Sequence, residues 1–378
     1  MLKNRFYLDY NATSPFSTSF KSYLEKGDFP FANPASIHTS GKFSRKCLNQ
    51  VEDFLFNLFD LDASEYHLVF HSGATEGIRS FFEAAQEGDA MFYCESDHPA
   101  TISSAKALEE RGVETIPMSI SSSGDFELEH NIELIKSWKT KNKGRAFANF
   151  LYVHNETGVR WSLEDALSLK EKADCFVHVD STQSPGKIIN WERLSTGLDA
   201  YTYSAHKFGA MKGIGFSFVR KAFPFKPLMK GGAQQSGLRG GTENVLGAIS
   251  IKLALEDIQG LDLSAIEVLR NKLEQLVLNR EDAIVVGKDS KYGRAVNTLN
   301  FIIKSKKADI SLIQFDMAGL DISSGSACSA GSVEPSNTLI SMGLRDYAKN
   351  GLRVSLGQCN IGHEKEILKK FEQVIKRL

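Results

Sequence analysis

Apolar residues recur along this chain in two alternating periods. From Gly41 onward, Phe43, Cys47, Val51, Phe54, Leu55 and Leu58 return at intervals of three and four, the spacing of one helix face. Short apolar runs then follow at 67–70, 90–94, 113–117, 146–153, 176–180 and 199–203, and these read as strands. Helical patterns near 77–86, 99–111, 129–138 and 163–173 separate them. Repeated strand–helix units of this length predict an α/β fold, with a mostly parallel sheet covered by helices on both faces. One more strand spans 214–219. Helices around 243–259 and 262–280, strands near 283–286, 296–303 and 351–356, and a last helix at 363–377 predict a smaller α/β unit. The expected division is a large domain over 1–260 and a small C-terminal domain over 261–378. Residues 1–40 show no strong period and carry turn signals at Asn11-Ala-Thr-Ser-Pro15 and Asn33-Pro34. They predict an arm that docks on the rest of the chain or on a partner subunit.

Ligands of such sheets gather beyond the C-terminal ends of the strands. The residues able to do chemistry fall there. After the first strand comes His71-Ser-Gly-Ala-Thr-Glu-Gly77, whose small residues and following helix start suit an anion, with Thr75 adding a hydroxyl. His98 stands in the loop Ser96-Asp-His-Pro-Ala100, and Asn155 in His154-Asn-Glu-Thr-Gly158. Asp180 closes an apolar strand, a costly place for a carboxylate without a cationic partner. Lys207, in Ser204-Ala-His-Lys207 before a Gly-rich turn, suits a Schiff base with an aldehyde cofactor. A phosphate cradle, a loop histidine, an aspartate and a lysine on one sheet edge fit pyridoxal phosphate better than a metal or a dinucleotide. His67 and His71 share a strand, but nothing follows them at ligand spacing and they read as structural.

Beyond 219 the pattern becomes polar and Gly-rich through Lys230 to Asn244, where Thr242 followed by Glu243 reads as a helix N-cap. In the smaller unit, Ile322-Ser-Ser-Gly-Ser-Ala-Cys-Ser-Ala-Gly-Ser332 is nearly all small residues around one thiol, Cys328. It reads either as a surface loop with an incidental cysteine or as a nucleophile on a moving arm. Arg353, inside a strand-like run, suits a bidentate clamp on a carboxylate or a structural ion pair.

Composition narrows the field further. Lys+Arg 45 against Asp+Glu 46 gives no bias toward nucleic acid or a membrane surface, and no apolar run reaches membrane-spanning length. The N-terminus shows no leader pattern, so a cytoplasmic protein is expected. Five scattered cysteines without zinc spacing argue against a disulfide framework or a metal site.

These stretches, in order, resemble the cysteine desulfurases of the aminotransferase class V, fold-type I pyridoxal-phosphate family. The resemblance rests on Tyr7-Leu-Asp-Tyr-Asn-Ala-Thr13, Asn33-Pro-Ala-Ser36, Ser72-Gly-Ala-Thr-Glu76, His154-Asn-Glu-Thr-Gly158 and His178-Val-Asp-Ser-Thr-Gln183. It continues through Ser204-Ala-His-Lys207, Gly240-Gly-Thr-Glu-Asn244, Ser323-Ser-Gly-Ser-Ala-Cys328 and Leu352-Arg-Val-Ser-Leu-Gly357. It implies that Lys207 binds the cofactor covalently, Asp180 pairs with the pyridine nitrogen, Gln183 contacts the ring oxygen and His98 stacks on the ring. It implies a phosphate site of Thr75, Ser204 and His206, with Thr242 arriving from the other protomer of a homodimer. Asn155 and Arg353 would hold the carboxylate of L-cysteine, and Cys328 would take its sulfur as a persulfide, with His98 as the activating base. A sulfur-acceptor protein, in iron–sulfur cluster assembly or tRNA thiolation, would then receive that sulfur. Two places depart from the family's usual residues: His154 stands where asparagine is common, and 209–213 lacks a proline. Another aminotransferase, a selenocysteine lyase and an inactive docking subunit are the alternative readings.

Overall fold

The structure, a computed structural model, describes residues 5–325, 328–329 and 332–378, with 328–329 and 332–333 as backbone only. A seven-stranded sheet forms its centre, in the order Tyr66–His71, Gly215–Arg220, Ala200–Ser204, Phe176–Asp180, Ala146–Leu151, Ala90–Cys94 and Glu114–Met118. The strand Gly215–Arg220 runs antiparallel to both neighbours, and the other pairings are parallel. Six strands therefore end on one edge. The middle strands, such as Ala146–Leu151, are buried at every position, which explains why their sequences run apolar instead of alternating.

Helices cover both faces. Thr39–Phe59, Leu128–Lys141, Leu163–Ala173 and Val245–Ile258 pack on one side, and Ala74–Phe82 and Pro99–Glu109 on the other. Thr39–Phe59 buries Leu48, Val51, Leu55 and Leu58, whereas Phe43, counted in its apolar period, is exposed. The helix after the first strand starts at Ala74, three residues before the expected position, so Thr75 lies in its first turn. The cap of Val245–Ile258 is also corrected. Asn244, not Thr242, accepts the Gly247 N–H, because Glu243 is buried against Arg45 at 3.0 Å and Thr242 stands exposed.

A second hydrophobic cluster joins Ser264–Leu278, Thr298–Ile303, Gly351–Ser355 and Glu364–Arg377. Phe6 and Leu8 belong to this cluster too, because Phe6–Tyr7 pairs with Leu320–Asp321. The N-terminal arm then crosses to the large sheet, where Ser14 and Ser17 donate backbone N–H groups to His206 O and Gly209 O at 2.8 and 2.9 Å. Three helices had no clear sequence signal: Thr18–Lys26, Ala308–Met317 and Asn337–Ser341. Ala308–Met317 buries Ala308, Ser311 and Phe315 while exposing Ile310, Ile313 and Met317, so its apolar residues face both ways.

Candidate active site

Two adjoining cavities open at the edge where the parallel strands end, about 330 and 380 Å³ in volume. His98, Asn155 and Lys207 form walls of both. The first is lined also by Thr75, Asp180, Gln183, Ser204 and His206; the second reaches Arg353, Glu156 and Gly325. Nine expected residues thus meet here. Thr242 lines neither cavity of this single chain, and the Cys328 side chain lies outside the described residues. The backbone of Cys328–Ser329 pairs antiparallel with Ser332–Val333, so the nucleophile reading falls on a short hairpin.

Lys207 ends a single turn of 3-10 helix directly after Ser204, and its Nζ donates to Asn11 O and Ala12 O at 2.8 and 2.9 Å. Burial, with the charge of Arg353 as the next cause, lowers its pKa to about 8. A useful fraction of the amine is therefore neutral, and so nucleophilic, near neutral pH. Gln183 donates to the same Asn11 O at 3.0 Å and accepts from the buried Lys187 amine. Neither the carbonyls of the arm nor Lys187 was read as part of the site. The signal for the arm was present in the stretch 7–13; Lys187 gave none.

Asp180 is buried, and its Oδ1 accepts the Thr182 N–H at 3.0 Å. The helix Ala74–Phe82 begins after Gly73 with no side-chain cap, which leaves its first N–H groups without an intrahelical partner. Gly73 also lies close to Ser204, since a Cβ there would come within 3.7 Å of Ser204 Oγ. His206 contacts Thr13 Oγ1 through Nδ1 at 3.1 Å, and burial lowers its pKa to about 4. His98 caps the helix Pro99–Glu109, its Nδ1 accepting the Ala100 N–H at 3.1 Å. Burial lowers its pKa too, and with Nδ1 accepting that bond the neutral ring carries its proton on Nε2.

Arg353 donates to Asn155 O at 3.0 Å and to Asp9 Oδ1 at 2.7 Å. The ion-pair reading of Arg353 therefore holds in this chain, yet its Nε is buried with no partner, as is Asn155 Oδ1. His154 holds the loop that presents Asn155: Nε2 meets Ser96 O at 2.9 Å and Nδ1 accepts the Glu156 N–H at 3.1 Å. Glu156, which the sequence did not single out, accepts from Ser336 and Thr338 hydroxyls at 2.7 and 3.0 Å, and burial raises its pKa.

Comparisons with known proteins bear on the chain as a whole. The family model described as aminotransferase class-V matches residues 6–368. A cysteine desulfurase of Nostoc sp. is 34% identical over 391 residues, covering 98% of this chain and 93% of the relative. One of Cereibacter sphaeroides is 31% identical, covering 93% of this chain and 90% of that relative. A solved NifS-like protein superposes with a TM-score of 0.85 at 26% identity, covering 99% of this chain and 100% of that one. A NifS-like protein from Rickettsia africae also gives 0.85, at 25% identity, covering 98% and 99%. With the match running from the arm to the last helix, this chain belongs to the aminotransferase class-V family.

Proposed function

We propose that the protein is a cysteine desulfurase that uses pyridoxal 5'-phosphate to turn L-cysteine into L-alanine, keeping the sulfur on Cys328. The observation that carries this reading is the Lys207 amine, lowered to about 8, in one cavity with Asp180 and an uncapped helix start. The residues fit the cofactor. The lysine matches its aldehyde, Asp180 its pyridine nitrogen, and the helix start with Thr75, Ser204 and His206 its phosphate. Gln183 and His98 take the ring oxygen and the ring face, and Thr242 completes the phosphate site from a second protomer. When bound, the group supplies an electron sink for the substrate's Cα.

The remaining steps belong to the chain's own residues. Arg353 and Asn155 orient the substrate carboxylate, and the unpartnered Arg353 Nε offers one donor for it. Neutral Lys207 Nζ takes the Cα proton. Cys328 Sγ then bonds to the substrate sulfur as that sulfur's bond to Cβ breaks; the electron pair left on carbon is protonated, giving alanine. Because His98 Nδ1 already accepts the Ala100 N–H, His98 faces the cavity as an Nε2–H donor. Taking a thiol proton requires that cap to open.

The same reading makes the protein a cytoplasmic homodimer that passes its sulfur to an acceptor protein. Exposed Phe31, Ile37, Phe43, Leu228 and Met229 supply apolar area for a subunit interface, and among the described residues no helix is long and apolar enough to cross a membrane. It also divides the chain near residue 260, a division supported by the two main clusters except at the arm, whose Phe6 and Leu8 pack in the second.

Cys328→Ser tests the reaction. The variant should bind cofactor and cysteine normally, because those steps use Lys207 and Arg353. Alanine output should collapse, and mass spectrometry should find no persulfide on the 322–332 peptide. Full alanine output from Cys328→Ser would sink the desulfurase reading.

A further inference from the structure

One polar line across the sheet has no part in that mechanism. It takes one side chain from each of five adjacent strands, and a sixth from the turn after the next. His71 Nε2 lies 2.9 Å from Ser217 Oγ, and Ser217 Oγ lies 2.8 Å from Thr202 Oγ1. Thr202 Oγ1 lies 2.8 Å from His178 Nε2. His178 Nδ1 lies 2.8 Å from Asn149 Oδ1, and Asn149 Nδ2 donates to Asp97 Oδ2 at 2.9 Å. All six residues are at most 5% exposed.

With both rings neutral, one set of bond directions satisfies the whole line. The Asp97 oxygen accepts, so Asn149 turns its NH2 toward it and its Oδ1 toward His178. Burial holds His178 at about 3 and His71 at about 4, so both rings are neutral. His178 must then donate from Nδ1 and accept at Nε2 from Thr202. Thr202 accepts from Ser217, and Ser217 accepts from His71 Nε2–H. All donors point toward Asp97, one residue before His98, and His71 is left with a bare Nδ1 beside the Ser72–Gly73 turn.

The far end of the line carries the anion cradle. Gly77, in the helix Ala74–Phe82, sits directly on it: a Cβ there would lie 2.6 Å from His71 Nε2 and from Thr202 Cγ2, and 2.8 Å from Ser217 Oγ.

We propose that the Thr202 hydroxyl, in the middle of this line, is a positioning group for the phosphate cradle. It passes the direction set by Asp97, Asn149 and His178 on to Ser217, and so fixes the tautomer of His71 and the floor on which the start of the helix Ala74–Phe82 rests. The inference rests on the cofactor reading above and concerns only the phosphate's share of binding.

Thr202→Val keeps the side-chain shape and removes the hydroxyl. Apoenzyme would be titrated with pyridoxal 5'-phosphate and, separately, with pyridoxal, which lacks the phosphate. The variant should lose about tenfold in affinity for the phosphate form, with pyridoxal changed less than about twofold. Imidazole nitrogen NMR should show single tautomers at His178 and His71 in the wild type, and in the variant a mixture at His71 alone, with His178 still protonated on Nδ1 through Asn149. Thr202→Ser, which restores the hydroxyl, should recover both readouts. Should Thr202→Val fail to fold, Ser217→Ala removes the last link alone and must give the same pattern. Equal losses for the two ligands, or an unchanged affinity ratio with unchanged tautomers, would overturn the proposal. Wild-type apoenzyme that binds neither ligand would instead sink the cofactor reading, a distinct result.

Discussion

Lys207 combines a legible identity with an illegible environment. Its place after a strand and before a Gly-rich turn marked it as a candidate, but its acidity depends on burial and on Arg353, which comes from a strand 146 residues later in the chain. The lowered pKa also bears on stability. An unfolded Lys207 holds its proton up to about 10.5 and the folded one only to about 8, so between these values the unfolded state binds more protons. Stability therefore rises with pH across that window, and the burial cost is fully present below about 8. Lys207→Met apoenzyme should gain over wild type by on the order of 3 kcal/mol at pH 7 from this source. The gap should narrow as pH climbs from 8 to 10, whatever fixed offset the lost bonds to Asn11 and Ala12 impose. Urea unfolding of both proteins at pH 7 and pH 9.5 measures it, and a gap of constant size would refute the lowered pKa. Glu156, by contrast, gave no signal, since a lone glutamate in a loop resembles any solvated one. Only folding places it between Gly325 on one side and Ser336 and Thr338 on the other.

At the scale of elements, apolar runs and caps carried most of the information. The strands at 90–94 and 176–180 were read at their observed limits because Gly, Asp or Ser punctuates an apolar run. Helix starts were less secure. The stretch 72–77 could begin a helix anywhere, and the structure starts it at Ala74, where Gly73 leaves the N–H groups open. The Thr242 cap failed because two good capping residues stand two positions apart, and burial of Glu243 against Arg45 selects Asn244. Gly77 shows how packing overrides propensity. In a free helix Gly77→Ala would gain about 1 kcal/mol. Here the new Cβ meets His71, Thr202 and Ser217 inside van der Waals distance. Thermal unfolding should show a net loss of about 1–3 kcal/mol, and a raised midpoint would mean that the floor under this helix yields.

For the whole molecule, the proposed homodimer would set the exposed apolar residues of the arm and of 228–229, with Thr242, against a second copy. A Lys207→Ala subunit mixed with a Thr242→Ala subunit should form heterodimers in which one of the two sites is intact, recovering part of the activity that each homodimer lacks. Sedimentation of the active enzyme as a monomer would end this idea.

The sequence by itself determined the fold class, the sheet edge where the candidate residues gather and the identity of most residues that meet there. Each of these follows from local facts: a period of two or of three to four, a punctuating glycine, or a functional side chain in the few residues after an apolar run. Only the tertiary structure decided how those residues are held. It placed the arm's carbonyls on Lys207, split the Arg353 contacts between Asp9 and Asn155, and aligned His71, Ser217, Thr202, His178, Asn149 and Asp97 into one bonded line. Such contacts join residues tens to hundreds of positions apart, and no local period records which strand will lie beside which. Burial then sets their proton affinities, because desolvation depends on everything packed around a group and not on its neighbours in the chain.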